Sequence, residues 1–460
     1  MQNYSSDSRK FIYETYRFDI ENLQAHFYYS LLDINNPENT QWFEEVINFD
    51  DGNFDLREDL NFEILENLLF HLHLALWISY YKLYPTEKLI IKSGSIDNSW
   101  IEFWEKFYKN GLWEFLYRNN INPENLFQFE INCSNKIEKI NFLTSNKALI
   151  PVWWWKDSIV SLELFRKSGI DFDTFVFWKI DPIKQKCIDT TGKTNFLVTR
   201  KLSQRLFELN ETWEYFNGHV PITWIIAFSM EVVAYLFDYK YLILSNELSA
   251  NFGNTQWKWI EINHQWSKSL EFERDFWEYV EKYISSDVKY FSLLRWMYEI
   301  KIAELFSNLW KKYFENFSSC NNNFKIHKEV SHNWLWCNDC PKCAFVFSML
   351  HPYLDTLEIL QIFWQDLYTD NKLEKLFEEL LWISGIKPFE CVWTNEEVVY
   401  AMWMSYSKIE DKTALPYILQ IFENKILPNF LEPEQIKLKE KLFKTYNEDI
   451  IPVELKKILD

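Results

Sequence analysis

Glycine is scarce in this chain: 8 residues among 460, where ordinary usage of about 7% would give about 32. Glycine normally supplies the left-handed residues that close helices and tight turns, so other residue types must stand at many such places. Cysteine is also sparse at 7 residues, three of them in one short cluster. This excludes a disulfide scaffold and suits metal or active-site chemistry in a reducing compartment. Positive charge is in deficit, with 48 Lys and Arg against 67 Asp and Glu and a net charge of -19. A nucleic-acid backbone is therefore excluded as the main partner, whereas a nucleotide needs only a local cradle. No uninterrupted apolar run is long enough to span a bilayer, and the start, Met1-Gln2-Asn3-Tyr4, is polar. The expectation is a cytoplasmic protein.

Tryptophan is present in excess, at 23 residues, many at turn-like positions. The clearest case is Pro151-Val152-Trp153-Trp154-Trp155-Lys156-Asp157-Ser158. Three consecutive indoles between a short apolar strand and a helix start make poor physical sense. Three glycines there make a phosphate-binding loop. Many of these Trp are therefore read as glycine, the pattern expected where UGA encodes glycine but is rendered as tryptophan. UGG codons at 153, 154 and 155 would refute this. The alternative is a genuinely Trp-rich chain under low-GC codon bias. Such bias raises Lys, Asn, Ile and Phe but not Trp, whose standard codon is UGG.

Hydrophobic periodicity gives the organisation. Residues 1–145 read as mainly helical with strand-like pieces, including an apolar-periodic stretch from Phe62 to Leu83 and strands at 88–92 and 127–131. Residues 146–318 read as an α/β core. Its strands fall near 148–152, 174–177, 196–199 and 241–244, and its helices at 158–167 and 221–238. Residues 319–460 carry the Cys cluster and a helical tail. Strands alternating with helices imply a largely parallel sheet, with ligands at the carboxyl ends of its strands.

Five stretches carry chemistry. Read with glycine, the 153–158 loop is GGGKDS, and its backbone N–H groups can converge on an anion at a helix N-terminus. Lys156 would neutralise phosphate and Ser158 would bond it. Asp157 would cap the helix or hold Mg²⁺. As printed, the loop is a strand-to-helix turn with an Asp/Ser cap. Asn217-Gly218-His219-Val220-Pro221 offers His219 as an acid or base or as a donor to phosphate, or as a plain polar residue before an apolar helix. Leu244-Ser245-Asn246-Glu247 gathers polar groups just past a buried strand, with Glu247 a metal ligand or base. Asn263-His264-Gln265-Trp266-Ser267-Lys268-Ser269 follows it. Cys337, Cys340 and Cys343 have C-x2-C-x2-C spacing, which suits Zn²⁺. A fourth ligand would be His332 or Cys391, and the thiols can alternatively transfer protons or merely pack. In Lys387-Pro388-Phe389-Glu390-Cys391, Lys387 can grip a carboxylate or phosphate, and Cys391 or Glu390 can exchange a proton.

The loop resembles the PP-loop of ATP pyrophosphatases, SGGxDS, departing from it at Trp153. In their order, GGGKDS restored from WWWKDS, NGHVP, LSNE with NHQ and SKS, CPKCAFVF and KPFECV resemble the UDP-N-acetylmuramoyl-L-alanyl-L-glutamate epimerase family, MurL. The likeness runs from about residue 65 to 395. Reading Trp77, Trp113, Trp259, Trp364, Trp382 and Trp393 as glycine improves it. The resemblance implies a parallel-sheet PP-loop core with largely helical N- and C-terminal regions. It also implies ATP and Mg²⁺ use with release of AMP and pyrophosphate, and a UDP-muramoyl dipeptide substrate. Adenylation of the glutamate carboxylate would acidify its α-proton, and a base and an acid on opposite faces would invert the centre. On this reading the backbone at Trp153, Trp154 and Trp155, with Lys156 and Ser158, holds phosphate. Asp157 and Glu247 serve Mg²⁺, and His219, Glu247, Cys343 and Cys391 are the catalytic candidates. Competing readings are another PP-loop ATP pyrophosphatase with a Zn²⁺ site and, if the Trp are genuine, an inactive scaffold.

Overall fold

The computed structural model describes residues 4–50, 52–95, 98–153, 155–253, 255–257, 260–323, 335–383 and 394–459. Its strands, in chain order, are β1 (Arg9–Asp19), β2 (Gln24–Asp33), β3 (Gln41–Asn48), β4 (Lys88–Ile91), β5 (Gln128–Ile131), β6 (Lys147–Pro151), β7 (Asp171–Phe177), β8 (Asn195–Lys201), β9 (Tyr241–Leu244), β10 (Thr255–Trp257), β11 (Ile260–Ile262) and β12 (Lys289–Ser292). Ten form one mixed sheet in the order β12-β9-β6-β7-β8-β3-β2-β1-β4-β5, while β10 and β11 pair separately.

The five strands from β12 to β8 are all parallel. Their side chains alternate between two cores. Leu149, Leu242 and Leu244 enter one apolar cluster, and Ala148, Ile150, Tyr241 and Ile243 enter the other. A period of two with both faces buried is what a helix-covered parallel sheet requires. The helix Ile222–Phe237, mostly apolar and buried along nearly its whole length, covers the first face, and Lys156–Arg166 and Glu299–Leu309 cover the second. From β6 the chain moves outward through β7 to β8. It then crosses back to β9 on the other side of β6 and on to β12. The strand order therefore reverses between β6 and β9.

The α/β expectation is met, but the first 145 residues correct the mainly helical reading. β1 to β3 are the longest strands among the described residues, and β3 pairs antiparallel with β8, so one sheet joins the first 145 residues to the rest. Aromatic and β-branched residues dominate here, with Phe11, Tyr13, Phe27, Tyr29, Phe43 and Ile47 all buried. Such side chains favour a pleated, half-buried surface over a helix. β12 lies in the expected α/β core, where the sequence reading places no strand near 289–292, and its four residues are too few to show a period.

Among the described residues, three tryptophans have left-handed backbone: Trp178 at φ 92, Trp364 at φ 49 and Trp382 at φ 57. Trp364 closes the helix Thr356–Phe363, its N–H donating to the Leu360 carbonyl at 2.8 Å. Trp382 lies just beyond the helix Glu374–Leu380, with its N–H on the Glu379 carbonyl at 3.2 Å. Glycine belongs at such positions. Trp77 differs: it is wholly buried among Phe11, Tyr81 and Tyr108 with right-handed φ -53, so its backbone makes no demand for glycine. Trp259 and Trp393 lie outside the described residues. Trp382→Gly and Trp382→Ala both delete an indole that is 55% exposed and differ only in Cβ. The glycine form is expected to be more stable by ~0.5–1 kcal/mol, the left-handed strain less glycine's backbone-entropy handicap. Comparing their urea midpoints checks this.

Candidate active site

The loop after β6 reaches the helix Lys156–Arg166 through Trp155, which caps it in extended geometry at φ -79 without a side-chain bond. The Ser158 hydroxyl accepts from the Trp153 N–H at 3.3 Å and donates to the Trp155 carbonyl at 2.9 Å. Trp153 and Trp155 line a cavity of about 350 Å³, together with Asp157, Ser158, His219, Glu247, His264 and Lys268. The cavity sits at the carboxyl ends of β6 and β9, where the strand order reverses, the usual ligand position of such sheets. Neither described loop residue is left-handed, so the case for glycine at 153 and 155 rests on space. Their indoles stand where an anion would approach the helix. Lys268 and Lys342 both lie over the Trp155 ring, their Nζ atoms 4.7 and 4.6 Å from its centroid. Trp154 is outside the described residues.

Beside the loop is a buried charge cluster. Carboxylate oxygens of Asp157, Glu247 and Glu299 lie within 4.8 Å of one another. Lys156, 1% exposed, pairs with Asp157 at 2.7 Å and with Glu299. Burial alone would lower the Lys156 pKa, but the two carboxylates outweigh it and raise the value. Glu299 is held well above the usual carboxylate range by burial and by the charge of Asp157. Its Oε2 is buried with no hydrogen-bond partner. Glu299 begins the helix after β12, and its backbone N–H donates to Glu397 at 2.8 Å. Burial raises Glu397 to about 7, and it also accepts from Ser249 at 2.8 Å. Arg295, fully buried, donates to the Glu247 and Lys268 carbonyls at 2.8 and 2.7 Å, tying two loops of the cavity together.

A second cluster lies across the cavity. The His219 and His264 rings are 4.5 Å apart, and both face Glu114, His219 at 3.6 Å and His264 in direct contact. Burial and the neighbouring His264 hold the His219 pKa below its ordinary value. Glu114 would be raised by burial, yet the hydrogen bond from His264 and the nearby Arg118, whose Nε lies 2.7 Å from it, help bring it below the usual range. The His219 imidazole is therefore neutral and can accept a proton, as a weaker base than an ordinary histidine, with the Glu114 carboxylate beside it to stabilise the charge that forms.

Cys337, Cys340 and Cys343 converge as their spacing predicts, and Cys320 joins them. Cys343 is wholly buried among these thiols and does not line the cavity. His332, Lys387, Glu390 and Cys391 lie outside the described residues.

With this geometry in place, the comparisons decide the family. The MurL N-terminal domain matches residues 2–293 and the MurL C-terminal domain residues 316–430. The chain belongs to the MurL family. It is 32% identical over 367 residues to the UDP-N-acetyl-alpha-D-muramoyl-L-alanyl-L-glutamate epimerase of Xanthomonas oryzae pv. oryzae, covering 79% of this chain and 80% of that protein. Enzymes of the same name from a Micromonospora species and from Salinispora tropica are each 32% identical over 395 residues. They cover 85% of this chain and 86% and 84% of their own lengths. No solved structure matches.

The two matched regions meet at this site. Glu397 and Lys342 come from the C-terminal domain; the loop, Glu247 and His219 come from the N-terminal one. Sequence reading missed Glu299, Arg295 and Glu397, Glu114 as the partner of the histidines, and Cys320. Recognising β12 would have placed Arg295 and Glu299 past a strand's carboxyl end. Nothing local marks Glu114 or Cys320, which reach the site only through the fold.

Proposed function

We propose that this chain, with glycine at 153–155, uses ATP and Mg²⁺ to invert the terminal L-glutamate of UDP-MurNAc-L-Ala-L-Glu, releasing AMP and pyrophosphate. The match to MurL over both halves of the chain carries this reading. The site supports it with small residues in the loop, because the Trp153 and Trp155 side chains line the cavity beside the helix N-terminus, where a triphosphate would lie. The donor set of Asp157, Glu247 and Glu299 is all oxygen, with one Glu299 oxygen lacking a partner, and so suits a hard cation. Magnesium bound there would neutralise phosphate charge. Lys156, now held by Asp157 and Glu299, would turn to the phosphates, and Lys268 and Lys342 would meet them where the Trp155 ring now lies. The loop amides and the helix N-terminus add oriented dipoles. His219, backed by His264 and Glu114, is the cavity's best-placed base for the α-proton.

Incubation of the glycine-bearing protein with ATP, Mg²⁺ and the UDP-muramoyl dipeptide, followed by chiral analysis of the glutamate, tests the reading. D-Glutamate with stoichiometric AMP supports it, and unchanged L-glutamate sinks it. His219→Asn is expected to slow solvent-deuterium incorporation at the α-carbon by ~10²–10⁴-fold, the usual worth of a positioned base, while ATP binding persists. Equal loss of both would make His219 a structural residue.

A further inference from the structure

We propose that Cys320, Cys337, Cys340 and Cys343 bind one structural Zn²⁺ ion that fastens the C-terminal domain and holds Lys342 against the 153–158 loop. This goes beyond the epimerase reading and does not depend on it. The four sulfurs all lie within 4.8 Å of one another, with Cys337–Cys343 at 3.7 Å and Cys340–Cys343 at 3.5 Å. Tetrahedral zinc with Zn–S bonds of about 2.3 Å separates its sulfurs by about 3.8 Å. The spacing therefore suits one ion at the centre. An iron–sulfur cubane, which binds each thiolate at a different iron, would hold them further apart.

The surroundings are those of thiolates. The Cys343 backbone N–H points to the Cys340 sulfur at 3.4 Å, and the Asn322 amide donates to the Cys337 sulfur at 3.2 Å. Asn338, inside the first C-x-x-C, takes φ 62, which turns the chain back so that both sulfurs face inward. Cys320, Cys340 and Cys343 are buried. Four clustered thiols would have little to gain from packing there, whereas metal binding releases their protons and contributes directly to folding. Cys340 caps the helix Pro341–Leu350, so the ion would fix the start of that helix, where Lys342 reaches Trp155.

The test is elemental analysis of the full chain purified without added metal, followed by replacement with Co²⁺. One zinc per chain is expected, as are the sulfur-to-cobalt charge-transfer and d–d bands of a tetrahedral four-thiolate site. Cys320→Ser should weaken zinc binding at least tenfold and reduce the charge-transfer intensity to that of three thiolates. Metal-free protein, iron with acid-labile sulfide, or a Cys320→Ser variant with unchanged affinity and spectrum would each overturn the proposal. The unmutated protein's cobalt spectrum decides the matter if the variant does not fold. Epimerase activity enters none of these readouts, so the two proposals fail separately.

Discussion

Replacing Trp153, Trp154 and Trp155 together by glycine is expected to tighten ATP binding at least ~100-fold, a gain of about 2.7 kcal/mol, and to switch on AMP release. Two effects underlie this. The first is room: Trp153 and Trp155 line the cavity, and Trp155 lies under both Lys268 and Lys342. Each cation is thus spent on an indole face, where the interaction is worth ~0.5–2 kcal/mol, instead of on phosphate. The second is access to the backbone: the Lys156–Arg166 helix starts without a side-chain cap, and its first N–H groups can serve an anion only if nothing covers them. A triple alanine variant separates the two effects. It opens the space but keeps Cβ atoms against the main chain, and is expected to recover part of the binding. Calorimetric titration with ATP on all three proteins is the measurement. Equal affinity in the tryptophan and glycine forms would show that the indoles do not obstruct the site. No binding in either would leave the inactive-scaffold reading standing.

What could be read from the residues was whatever announces itself locally. β6, the helix Ile222–Phe237 and β9 each rest on an apolar run and the helix after β6 on a helical apolar period, and each lies within a few residues of its expected place. Lys156, Asp157, Ser158 and Glu247 could be named because they stand just past β6 and β9, where a parallel sheet presents its ligands, and His219 because it lies just before the apolar helix Ile222–Phe237. The residues that give them their chemistry come from far away. Lys156 meets Glu299 across 143 positions, and His264 meets Glu114 across 150. No periodicity encodes such a pairing; Lys156 meets Glu299 because their two helices pack together on one face of the sheet. The N-terminal strands failed for another reason. Runs such as Phe11-Ile12-Tyr13 are apolar without a gap, and only their pairing across β1 to β3 decides strand over helix.

The second large effect is expected at Lys156. In the glycine-bearing protein, Lys156→Met should lower the rate of AMP formation by ~10²–10³-fold, the usual cost of removing one well-placed charge stabiliser. It should also make stability depend on magnesium. In the present arrangement the ammonium group offsets Asp157 and Glu299, both buried, with Glu247 beside them. Without it three carboxylates share one small volume, and breaking a buried pair in this way costs ~3–5 kcal/mol. The variant can recover by protonation or by binding a cation. Glu299 is already held above the usual carboxylate range by burial and by Asp157, and loss of the lysine moves it further in the same direction. A carboxyl group whose folded pKa is raised favours the folded state at low pH. That advantage disappears as pH rises from the unfolded value through the folded one. Lys156→Met should therefore lose more thermal stability than the parent between mildly acidic and mildly basic pH. Magnesium should restore most of the deficit, because the three oxygens then surround a cation again. Thermal melts of both proteins across pH, with and without Mg²⁺, read this directly. A variant whose melting temperature ignores both pH and magnesium would mean that these carboxylates are not a cation site.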